Sequence, residues 1–100
     1  MNRKNQISDE KLEKASGGLK KGFTPSGTPL FELDIDDANA LNLEPGRMDV
    51  YDLAGSILSR NANNLSSEVK SKLDNILNHK VNKKLAGKMM EKILEKNFLS

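Results

Sequence analysis

Gln6-Ile7-Ser8-Asp9-Glu10-Lys11-Leu12-Glu13-Lys14-Ala15-Ser16-Gly17-Gly18 divides the chain. It reads as a short, charged amphipathic helix that runs into a two-glycine stop. Ser8 is a good N-cap, with Asp9 and Glu10 beside it in the positive first turn. Lys11 and Lys14 sit toward the other end, where the helix dipole favours cations. At about 100° per residue, Ile7, Ala15 and Leu12 fall near 0°, about 80° and about 140°, a single apolar stripe. A helix of about eleven residues is not stable alone in water, so it forms fully only where something grips that stripe. Gly17 and Gly18 lack Cβ atoms and leave a narrow, flexible backbone.

Outward from this stretch the texture changes. Residues 19–28 include Gly22, Pro25, Ser26 and Gly27, the composition of a loop or linker. Leu30-Phe31-Glu32-Leu33-Asp34-Ile35 alternates, with Phe31, Leu33 and Ile35 on one side and Glu32 and Asp34 on the other. That is a short strand pattern with no evident second strand to pair with it. Asp36 reads as the cap of a short helical piece over 37–43, closed by Pro45-Gly46. Asp49 opens a clearer helix carrying Val50, Leu53, Ala54, Ile57 and Leu58, and Asn61-Ala62-Asn63-Asn64 breaks it. Ser66 or Ser67 starts the next, with Val69, Leu73, Ile76 and Leu77 on one face. After a break at 78–82, a last helix over about 83–97 gathers Leu85, Ala86, Met89, Met90, Ile93 and Leu94 into an arc of about 180°. Gly87 costs that helix roughly 1 kcal/mol relative to Ala.

The expected fold is therefore mainly α, with three parts. Residues 1–18 form a short N-terminal helix, 19–29 a flexible linker, and 30–100 a small helical domain of about three helices with at most one short strand. Only 36% of the chain is apolar, below the usual ~45–50%. Four residues are aromatic and none is Trp, which leaves a thin core and makes partial disorder of the isolated chain consistent with the composition.

Net charge is +2, too small to imply a nucleic-acid partner, but it is unevenly spread. From Leu30 to Leu53 seven acids stand against one base, a net of −6. From Leu65 to Ser100 eight lysines stand against four acids, a net of +4. The lysine-rich end has no arginine and no aromatic interleaving of the kind that marks a nucleic-acid patch. The absence of Cys removes disulfides, thiolate metal sites and cysteine nucleophiles from this chain. No apolar run approaches the ~20 residues that span a bilayer, and residues 1–18 are too polar for a Sec-type signal.

Candidate chemistry is sparse. Asp34, Asp36, Asp37 and Asn39 gather oxygen ligands, but in EF-hand spacing the glycine position would be Asn39 and the final glutamate Pro45, so they read as helix caps and solvated charge. His79 is the only histidine and reads as a helix-end residue. Serines 56, 59, 66, 67 and 71 lie in no nucleophile motif. The expectation is no enzyme, no cofactor and no metal. The Met89-Met90 helix reads first as the core face of a small bundle and second as a membrane-surface helix.

Residues 7–18 resemble the double-glycine leader of bacteriocin-type precursor peptides. In that family apolar residues stand twelve, seven and four positions before the cut, counted back from the second glycine. Here they are Ile7, Leu12 and Ala15. Ser8 matches the serine that usually follows the first, and Gly17-Gly18 is the small pair at the cut. The resemblance implies recognition by the papain-like cysteine peptidase domain of a peptidase-containing ABC transporter. It implies cleavage after Gly18, leaving Leu19 as the new N-terminus. An apolar stripe docking in a groove fits that logic, as does a Gly-Gly tail entering a slot too narrow for side chains.

Three functions follow as expectations. The first is a precursor made in a bacterial cytoplasm and exported as a bacteriocin-like product of residues 19–100, acting on a competitor's membrane or envelope. The second is an exported signalling or interaction protein with the same leader. The third is a cytoplasmic helical protein of the bacteriocin-immunity type whose leader pattern is accidental.

Overall fold

The computed structural model describes residues 11–14 and 19–99. Among them the chain forms β1 (Lys11–Lys14), β2 (Lys20–Phe23), β3 (Pro29–Leu33), α1 (Ile35–Leu41), β4 (Gly46–Asp49), α2 (Val50–Arg60), α3 (Ser67–Leu77) and α4 (Lys83–Asn97). The strands make one antiparallel sheet in the order β1-β2-β3-β4. α2 and α4 pack against β3, and α3 packs on α2 and α4.

The three longer helices match their sequence pattern. Asp49 caps α2 by accepting the Asp52 N–H at 2.8 Å. Ser66 caps α3 by accepting from Val69 N–H at 3.2 Å, and Asn82 caps α4 by accepting from Leu85 N–H at 2.8 Å. Their apolar stripes supply Val50, Leu53, Ala54 and Ile57; Val69, Leu73 and Ile76; and Ala86, Met90, Ile93 and Leu94 to one buried core.

Elsewhere the sheet corrects the expectation of at most one strand. The span 19–29, read as a flexible linker, contains strand β2 and the turn that joins it to β3. Pro25, Ser26 and Gly27 are the turn of a hairpin rather than a tether. Gly27 N–H donates to Thr24 O at 2.9 Å, Thr24 N–H donates to Thr28 O at 2.8 Å, and Gly27 takes φ +87, where a Cβ would be strained. Pro29 stands first in β3, a place where its missing N–H is tolerated. Phe31 and Leu33 enter the core as their alternation predicts, whereas Ile35 leaves the strand, opens α1 and is 67% exposed. Asp34, rather than Asp36, caps α1 by accepting the Asp37 N–H at 2.8 Å. Gly46 begins β4 instead of only closing a helix, which places Arg47 opposite Glu32 with Nε and Oε1 3.8 Å apart.

The N-terminal stretch differs most. Lys11–Lys14, expected within a helix, is a strand whose whole length pairs with β2, Lys11 opposite Phe23 and Lys14 opposite Lys20. Lysine, leucine and glutamate favour helix locally, but pairing with an existing hairpin satisfies the same backbone groups.

Candidate functional site

The junction expected to be cut lies between two paired strands. Of the leader positions, Ile7, Ala15, Gly17 and Gly18 lie outside the described residues. Leu12 belongs to β1, where its Cα is opposite Gly22. Leu19, the expected new N-terminus, is only 1% exposed and belongs to the hydrophobic core. One residue later β2 begins. No sequence signal marked Leu19 as core, because a lone leucine among glycines and lysines has no periodicity to read.

Elsewhere α4 crosses the β2–β3 hairpin and leaves a groove of about 440 Å³. Phe23, Pro29 and Phe31 give it apolar walls, and Lys21, Lys84 and Lys88 stand at it with Glu91. Lys21 Nζ meets Glu91 Oε2 at 2.7 Å and ties β2 to α4. The helix comes this close because of Gly87, where a Cβ would lie 3.0 Å from Pro29 Cγ. That explains a glycine which the sequence alone shows only as a cost.

A shallower trough of about 690 Å³ runs along α2, lined by Leu43, Met48, Tyr51, Ser56, Ser59 and Leu77 among others. His79 sits just past the end of α3 at φ +59, exposed, with its ring stacked on Tyr51 at a centroid distance of 4.1 Å. It is a helix-end histidine, as expected. Among the described residues, no hydrogen bond joins it to Ser56 or Ser59.

The acidic cluster acts locally. Burial, and then the neighbouring carboxylates of Asp34 and Asp36, push the Asp37 carboxyl above its usual value of 3.8. Among the described residues, no group of three or more His, Cys, Asp or Glu side chains is placed to hold a metal ion, and no helix is long and apolar enough to cross a membrane. The apolar face of α4 is turned inward, with Met90 and Leu94 fully buried. Asn61 is a feature the sequence showed only as part of a helix break. It is 3% exposed, donates from Nδ2 to Leu41 O at 2.8 Å and accepts from Asn42 Nδ2 at 2.9 Å.

Comparison with protein-family models, curated proteins and solved structures gives no match.

Proposed function

We propose that this chain is a precursor addressed by its first 18 residues to a peptidase-containing ABC transporter. The transporter's cysteine peptidase domain holds Ile7, Leu12 and Ala15, cuts after Gly18, and the transporter exports residues 19–100 as a bacteriocin-like product. The spacing of those apolar positions ahead of Gly17-Gly18 carries the reading. The fold supports it in one respect. Among the residues whose burial is described, the core runs from Leu19 to Leu94, all of it within the proposed product.

The second reading, an exported interaction protein, is favoured by the inward face of α4. A helix whose Met90, Ile93 and Leu94 are buried acts on a membrane only after leaving its domain. A folded product instead meets its target through its surface, such as the groove beside Lys84 and Lys88.

The test is co-expression with a peptidase-containing transporter, followed by N-terminal sequencing of the exported material. A product beginning at Leu19 is expected. Chain that stays inside cells with Met1 intact points to the third reading. Leu12→Asp should abolish cleavage by placing a charge on the docking stripe. Gly18→Ala should be tolerated better than a bulky residue, because the slot excludes side chains by size.

A further inference from the structure

We infer that the folded domain masks its own leader: β2 holds Lys11–Lys14 as a strand, and the core holds Leu19, so the transporter's peptidase acts on chain in which this end is open. This rests on the leader reading above and specifies the form of the chain that is its substrate.

Two observations carry it. The first is the conformation of Lys11–Lys14, paired with β2 over all four residues. In a helix, Ile7, Leu12 and Ala15 share one stripe, because their angular positions at about 100° per residue fall close together. In a strand, side chains alternate, and residues an odd number apart point to opposite faces. Positions 7 and 12 differ by five, and 12 and 15 by three. With Lys11–Lys14 extended, no continuous helix can run from Ile7 to Ala15, and the single stripe that would fill one groove is not formed. Strand pairing with β2 and helical docking in a peptidase exclude each other.

The second observation is Leu19. A peptidase that cuts after Gly18 must draw both flanking residues into its cleft as accessible, extended backbone. Leu19 is instead 1% exposed and packed in the core, with β2 beginning immediately after it. Presenting the bond requires Leu19 to leave the core and β1 to leave β2. The rate of cleavage then follows the population of the opened form, as for proteolysis of any transiently opened site. Newly made, unfolded chain is the good substrate, and the folded precursor is the protected one.

The absence of Cys from the chain makes the test clean. Glu13 and Lys21 are directly opposite in the β1–β2 register and neither is an anchor. Opposed residues of antiparallel strands have Cα atoms about 4.5–5.5 Å apart, within the span a disulfide bridges. The full chain carrying Glu13→Cys and Lys21→Cys should form an intrachain disulfide on mild oxidation. Failure to do so while the domain is folded overturns the pairing. In a second arm, purified full chain and its Leu73→Ala variant are incubated with the isolated peptidase domain, and release of product beginning at Leu19 is timed. Leu73 is fully buried in α3, far in sequence from the leader. Its truncation raises the opened population, so cleavage should accelerate by roughly tenfold or more. Equal rates leave the leader reading standing and overturn the masking. No cleavage of either chain, even when it is diluted unfolded from urea into the peptidase, overturns the leader reading and the masking with it.

Discussion

Two helical glycines give opposite expectations for the same substitution. Gly55 lies in α2, where an added Cβ would make ordinary contact with Leu77 Cδ1 at 3.5 Å. Gly55→Ala therefore gains helix propensity without strain and should stabilise by roughly 0.5–1 kcal/mol. Gly87 faces the Pro29 ring, with an added Cβ 3.0 Å from Cγ and 3.1 Å from Cβ. Pro29 is buried and fixed in β3, so the ring has little room to give. Overpacking of this kind costs roughly 1–3 kcal/mol, which outweighs the propensity gain and leaves Gly87→Ala destabilising by about 1 kcal/mol. Urea denaturation of the pair reads both signs. Asp37 is a third case. Its folded carboxyl titrates above 3.8, so the stability linked to its protonated form is present below that value and lost as pH rises through the folded one. Asp37→Asn should match the native chain near pH 3 and exceed it at pH 7. Melting temperatures compared at the two pH values test this.

Among the elements, α1 and α2 are joined at their ends by a buried polar contact rather than by apolar packing alone. Asn61 satisfies Leu41 O, an α1 carbonyl with no helical partner, while Asn42 bonds back to it from a left-handed position at φ +59. Asn61→Ala should cost roughly 1–3 kcal/mol, because it strands buried groups rather than removing one exposed bond. Glu91→Ala, which breaks the half-exposed pair with Lys21, should cost no more than about 1 kcal/mol. Chemical denaturation of both variants tests that ranking. The contrast also shows what the sequence made legible. α2, α3 and α4 could be read because each repeats apolar residues over three or more turns and starts at Asp49, Ser66 or Asn82. The sheet could not. β2 is Lys20-Lys21-Gly22-Phe23 and β4 is Gly46-Arg47-Met48-Asp49, four residues each, too short for alternation to emerge. Their stability comes from partners distant in sequence. β1 was misread for the same reason, since Lys-Leu-Glu-Lys is locally a helix former. At the candidate site, spacing marked the proposed anchors and glycines, but neither the pairing of Leu12 with Gly22 nor the burial of Leu19.

For the whole molecule, the division at Gly18 makes a quantitative claim. If residues 1–18 are an address and 19–100 the cargo, removing the address should leave the fold standing. β1 contributes backbone bonds worth roughly 0.5–1.5 kcal/mol each. Ordering each of its residues costs about 1–2 kcal/mol, which offsets most of that gain and leaves a small net stabilisation. The chain starting at Leu19 should therefore keep its circular dichroism spectrum and lose less than about 2 kcal/mol of stability. Leu19 itself is different, because it fills the core at 1% exposure. In the full chain, Leu19→Ala should cost roughly 2–5 kcal/mol, more than deleting the eighteen residues before it. Urea midpoints of the two variants decide the order. If the deletion is the more damaging change, β1 is a working part of the domain, and the boundary between address and cargo does not fall at Gly18. If Leu19→Ala is the worse, the first residue of the product is also the first residue of the core. Completing the fold after export then needs nothing that the peptidase has removed.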